Sequence, residues 1–198
     1  MLKFKKGCKV PFPEKLFEGY TYTAPCFTAN VDADKMEKLL ESFIELHREP
    51  LFFILELPTN QADETEIRPG VVAALHKDVY YLDGCTQEQA LRLLHQFADL
   101  LINDGGCAFG FGGHQTQDEI MVGKYNAVSL FTQNAKMYAG FFEKHGIFKT
   151  ENLRTAWDTF SQAFPGRAEC VETGGKTVYD LPDLLASQGL YFAERREM

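Results

Sequence analysis

The order in which hydrophobic periods change along this chain limits its fold more than any other feature. Met36, Leu39, Leu40, Phe43 and His47 recur at the three-and-four spacing of one helix face, which starts near Asp32 and stops at Pro50. The run "LFFILEL" at 51–57 lacks alternation, as in a strand covered on both sides. "DVYYLDG" follows as a strand closed by an Asp83-Gly84 turn, and Leu93, Leu94, Phe97, Leu100 and Leu101 then form a second helical stripe. Residues 107–131 read as strand, loop and strand, 134–146 and 150–164 as helices, 174–175 as a hairpin turn, and 182–193 as a last helix. Strands and helices do not alternate one for one, which argues against a doubly wound dinucleotide fold. The expected class is α+β: a mixed, largely antiparallel sheet with helices packed mainly on one face.

Local signals sharpen this outline. Asp32 or Asp34 can accept from free amides at the first helix start, and Thr86 and Gln89 have the spacing of a capping box. Gly105 is expected to supply a left-handed turn after the second helix, and "GYTYTA" at 19–24 to form an edge strand. The acidic segment 58–70 reads as an exposed loop. No Ser/Gly-rich linker divides the chain, so residues 1–198 are taken as one domain, with a weak boundary near 133–150.

At 198 residues, roughly 70% of the unfolded chain's surface can be buried without help from disulfides or metal. The net charge of −8 repels nucleic-acid phosphates and anionic membranes, so neither is an expected partner. The basic cluster Lys3, Lys5, Lys6 and Lys9 is followed by "VPFPEKLF", which lacks the apolar core of a signal peptide, and "LFFILEL" is too short to cross a bilayer. Five widely spaced cysteines without C-x-x-C read as free thiols in a reducing compartment. A cytoplasmic protein without cofactor or metal is the expectation.

The motifs that carry chemistry are incomplete. "GGKT" at 174–177 has Cys170 where a phosphate-binding P-loop needs its first glycine, so a hairpin turn accounts for it. "GFGGHQ" has Gln115 at the third glycine position of a dinucleotide fingerprint. It does have period two, with Cys107, Phe109 and Phe111 on one strand face and Ala108, Gly110 and Gly112 on the other. Small residues there let something approach closely. His114, Asp118 and Glu119 sit in a polar turn that alone gathers no metal site. In "EIMVGKYNAVSLFT", Lys124 and Asn126 fall on the same ideal-strand face as Ile120, Val122, Val128 and Leu130. Either Gly123 is a bulge that turns them outward, or they enter a polar pocket beside Tyr125. Cys85, next to a helix N-terminus, is a candidate thiolate without an assignable base, and Glu56 is a candidate buried carboxylate.

With no complete catalytic motif and an acidic chain, the leading expectation is a non-enzymatic intracellular protein that binds a protein partner of cationic character. A regulatory or toxin-neutralising (immunity-type) role fits that description. Contact is expected to start at Asp63, Glu64 and Glu66. The rival reading is an enzyme or small-ligand binder with a pocket along 107–126, where His114 or Glu119 acts as acid or base, Lys124 holds an anion, Tyr125 lines the site and Asn126 donates a hydrogen bond.

Overall fold

A computed structural model of the chain describes residues 1–60, 64, 66–68, 71–72 and 74–198. Its elements in chain order are β1 (Cys8–Lys9), β2 (Gly19–Thr23), β3 (Cys26–Asn30), α1 (Ala33–Leu46), β4 (Leu51–Pro58), β5 (Glu66–Arg68), β6 (Val71–Val72) and β7 (His76–Cys85). After these come α2 (Gln87–Asn103), β8 (Ala108–Gly113), β9 (Asp118–Val122), β10 (Ala127–Phe131), β11 (Arg167–Ala168), α3 (Leu181–Ala186) and β12 (Tyr191–Glu197). Eight strands form the main sheet in the order β12-β7-β4-β8-β9-β10-β3-β2, antiparallel at each neighbouring pair. The class is α+β, as the periodicities imply. No helix among the described residues is long and apolar enough to cross a membrane.

Register decides which side of the sheet is which. Phe53 lies opposite Phe111 and Leu55 opposite Phe109, while Phe111 faces Ile120 and Phe109 faces Val122. Directly opposed residues share a face, so these side chains form one continuous apolar row. Met36, Leu39, Leu40 and Phe43 of α1 and Leu93, Leu94, Phe97 and Leu101 of α2 bury themselves on that row in a single core cluster. Each such burial stabilises by about 1.5–3 kcal/mol. Leu181 and Leu185 of α3 join the same cluster, as do Tyr138, Phe141 and Phe142. The helices therefore lie on one face.

Several local expectations change. Thr86 caps α2 as anticipated, its hydroxyl accepting from the Gln89 amide at 3.1 Å while the Gln89 side chain accepts from the Thr86 amide at 2.9 Å. Asp32 does not cap α1; its carboxylate accepts from the Lys3 amide at 2.5 Å. Gly105 is not left-handed; a Cβ there would stand 2.1 Å from the Gly7 carbonyl oxygen, so its missing side chain permits a backbone crossing. The segments 134–146 and 150–164 form short 3-10 turns rather than α-helices. Gly140 at φ 74° interrupts the first, and in the second Trp157 and Phe160 turn edge-to-face onto Tyr125. The last helix stops at Ala186, Gly189 at φ 104° breaks it, and residues 191–197 become an edge strand. β4 has its helix-facing side fully covered, while Phe52 and Glu56 on the other side stay partly exposed.

Candidate functional site

The other face of the sheet carries no α-helix among the described residues, only the 3-10 turn of Trp157 at one end, and the residues between the apolar positions point into it. On β8 these are Ala108, Gly110 and Gly112, on β4 Phe52, Ile54 and Glu56, and on β9 Glu119 and Met121. A Cβ on Gly112 would lie 2.0 Å from the Phe52 ring, and one on Gly110 would lie 1.9 Å from the Ile120 carbonyl oxygen and 2.6 Å from Met121 Sδ. Cross-strand neighbours thus lie over the glycines and cover them. Beside them lies a depression of about 330 Å³, lined by Ile54, Glu56, Tyr81, Glu119, Met121 and Arg196 among others. A second hollow of about 270 Å³ shares Glu56 and Ala108 with it and adds Lys77, Lys124 and Trp157. Together they make one shallow groove across the helix-free face.

Charge in this groove is nearly balanced but unevenly paired. Glu56 is neutralised twice, by Lys77 Nζ at 2.6 Å and by Arg196 Nη1 at 3.8 Å. Arg196 also holds Glu194. By contrast, neither Glu119 nor Lys124 has an ion-pair partner among the described residues. Burial pushes the Glu119 carboxyl above the ordinary glutamate range, the nearby Glu56 charge adds to this, and Arg196 offsets part of it. With no cation in direct contact and Arg196 offsetting only part of the shift, this carboxyl can accept a cation from outside.

The residues named from sequence are not gathered at one point. His114 stands at the tip of the β8–β9 hairpin, 3.2 Å from Asp83 and against the Phe52 ring. Lys124 lies beyond the far end of β9, six residues on from Asp118 and about 20 Å away at the rise of an extended strand. Asn126 is fully buried. Its Oδ1 accepts from the Lys5 amide at 3.0 Å, and its Nδ2 donates to the Lys3 and Val31 carbonyls at 2.8 and 2.7 Å. Tyr125 is buried against Leu16, Ala156 and Phe160. The strand ends at Val122, and Tyr125 (φ 54°) and Asn126 (φ 65°) turn the chain through left-handed conformations, so neither a bulge nor a pocket describes this stretch. Asn126 and Tyr125 therefore serve the interior, and of the candidate site residues named from sequence Glu56, Glu119 and Lys124 open onto the groove.

The acidic loop differs as well. Asp63 lies outside the described residues. Glu64 is buried, not solvated; it accepts from the His76 amide and pairs with His76 Nδ1, both at 2.7 Å, and that hydrogen bond holds its carboxyl below the ordinary range. Glu66 is exposed on β5. Cys85 is buried, and burial followed by the Asp83 charge pushes its thiol up to about 11, the reverse of an activated thiolate. "GGKT" is a tight turn, with Thr173 and Lys176 exchanging backbone hydrogen bonds across Gly174 and Gly175.

Sequence reading missed Lys77, Tyr81, Met121 and Arg196 as groove residues. It also missed an interior trio on the opposite side of the sheet. Asp118, the neighbour of Glu119, points inward and accepts from the Tyr138 hydroxyl at 2.9 Å, with His47 Nε2 at 3.3 Å; His47 Nδ1 is 2.7 Å from the Phe43 carbonyl. Burial, then the Asp118 charge, pushes the Tyr138 phenol far up, so it stays protonated and donates. All three are buried, so the trio is a structural polar knot. Among the described residues one group of potential metal-ligating side chains comes together, Glu37 and Glu41 of α1 with His95 of α2. Its His95 Nε2 is 2.7 Å from Glu41, a contact on an exposed side of the helix pair.

Fold and site together define an antiparallel α+β protein with a helix-free, grooved sheet face. Comparison with protein-family models, with curated proteins and with solved structures finds no match to this chain.

Proposed function

We propose that the chain is a non-enzymatic protein that binds a protein partner on the helix-free sheet face, of the regulatory or toxin-neutralising kind. The observation that supports this most is that Glu119 and Lys124, neither of them in an ion pair among the described residues, stand at the two ends of one shallow groove with apolar flanks. An extended segment lying along β9 carries a basic side chain to Glu119 and an acidic one to Lys124, four or five residues apart at about 3.4 Å each. The net charge of −8 adds long-range attraction for a cationic partner. Catalysis has less support. His114 and Asn126 are turned to other tasks, and the Ser129 hydroxyl, which lines the groove, is hydrogen-bonded to no base among the described residues.

The test is affinity co-purification of the tagged chain at low and high salt. A stoichiometric partner is expected at low salt, with at least a tenfold loss on Glu119→Lys and on Lys124→Glu. Equal recovery by both variants, or no partner from the wild type, contradicts the proposal. Arginine, glutamate and spermidine are added to the purified protein in parallel. If one of them alone raises the thermal midpoint in a Glu119-dependent way, the small-ligand reading replaces this one.

A further inference from the structure

Where α1 packs against α2, three side chains with metal-ligating atoms converge. Glu37 and Glu41 are one turn apart on the same face of α1. Each follows a core residue, Met36 or Leu40, and so stands at the margin of the buried stripe. His95 has the same relation to Leu94 on α2. Packing of the two stripes into one core brings these margins together. One oxygen of each glutamate and one ring nitrogen of His95 all lie within 4.8 Å of one another. His95 Nε2 is 2.7 Å from Glu41 Oε1, and Glu37 takes no part in that contact. The two carboxylates are also short of cations. Lys35 is held by Glu18 at 2.5 Å and Arg92 by Glu88 at 2.6 Å, and no lysine or arginine pairs with Glu37 or Glu41 among the described residues. Like charges one turn apart on a helix repel each other.

We infer that Glu37, Glu41 and His95 form a binding site for a zinc-class divalent cation, which clamps α1 to α2. The imidazole is what sets this trio apart from an acidic surface patch. Carboxylate oxygens alone suit magnesium or calcium, whereas a ring nitrogen suits zinc and the neighbouring first-row metals. Around tetrahedral zinc, ligand atoms about 2.0–2.2 Å from the ion stand about 3.3–3.6 Å from each other. The separations here, from 2.7 Å to at most 4.8 Å, bracket that range, so side-chain rotation closes the site. Three protein ligands leave a fourth position for water. Space for it exists, because a hollow of about 240 Å³ reaches Glu37 and another of about 480 Å³ reaches His95. The ion neutralises both carboxylates at once, and by holding the native helix pair it stabilises the fold. This site lies on the helix side of the sheet and does not rest on the groove reading.

Calorimetric titration of zinc chloride into the chelator-treated full chain tests the inference. One ion per chain is expected, with the affinity lowered at least about tenfold by His95→Gln and by Glu37→Gln. Zinc at a hundredfold excess over its dissociation constant is expected to raise the thermal midpoint by roughly 5 °C or more, EDTA to reverse the rise, and magnesium to have no effect. Glu37→Gln is the decisive variant, because the Glu41–His95 contact survives it: a trio that serves only as a surface hydrogen bond leaves zinc binding unchanged. Circular dichroism checks that both variants are folded. No zinc binding by the wild type, equal binding by both variants, or magnesium acting as well as zinc overturns the inference.

Discussion

Asp118→Ala is expected to lower the free energy of unfolding by about 3–5 kcal/mol, the usual cost of removing one partner from a buried polar pair. The loss leaves His47 and the Tyr138 hydroxyl facing each other without the carboxylate that both approach, inside the packed end of the sheet. His47→Ala is expected to cost a similar amount, and the double variant less than the sum, because both single changes break the same contact. Its neighbour is the control. Glu119→Gln alters the groove side of the same strand and removes a carboxyl whose folded-state pKa is raised. A raised carboxyl contributes stability below its unfolded pKa of 4.5 and loses it as pH rises through the folded value. The glutamine variant is therefore expected to be at least as stable as the wild type at neutral pH and equal to it in acid. Urea unfolding at both pH values reads the four variants against the wild type. Adjacent residues thus separate a carboxylate that holds the interior from one that faces the groove.

Asn126→Ala carries the second large effect, about 3 kcal/mol or more. Three backbone groups lose their partner at once, the Lys5 amide and the Lys3 and Val31 carbonyls, each worth about 1–3 kcal/mol when left unsatisfied in the interior. Alanine at φ 65° adds about 1 kcal/mol of backbone strain, which asparagine tolerates better. The damage is expected at the N-terminal segment first. Amide exchange at Lys5 should quicken by several orders of magnitude while α2 stays protected until global unfolding. Unchanged exchange at Lys5 would show that the Asn126 side chain does not hold this segment.

Both effects belong to residues that sequence reading approached and could not place. The capping box of α2 and the two-residue period of 107–113 were legible because their partners lie within a few positions. His47 and Asp118 are 71 residues apart, and only strand order brings them together. Left-handed Tyr125 and Asn126 give no local sign, since neither is glycine, and without that turn the period of β9 runs on to place Lys124 and Asn126 side by side. The aromatic stripe of 153–164 has helical spacing, yet Trp157 and Phe160 gain more by meeting Tyr125 edge-on than by lining a helix. Gly189 was the one visible warning that the last helix ends early and leaves an edge strand behind it. In the groove, Glu56 is legible as a carboxylate in an apolar strand, but its partners Lys77 and Arg196 converge on it from β7 and β12.

The proposed function depends on the helix-free face being the one that meets a partner. Photo-crosslinking in cells measures this directly, with a photoreactive amino acid placed at Met121 in the groove or at Gln96 on the outer side of α2. The expected result is a single dominant adduct from position 121 that Glu119→Lys abolishes, and none of comparable yield from position 96. Crosslinks from position 96 alone, or an adduct at position 121 that is indifferent to Glu119, would contradict it.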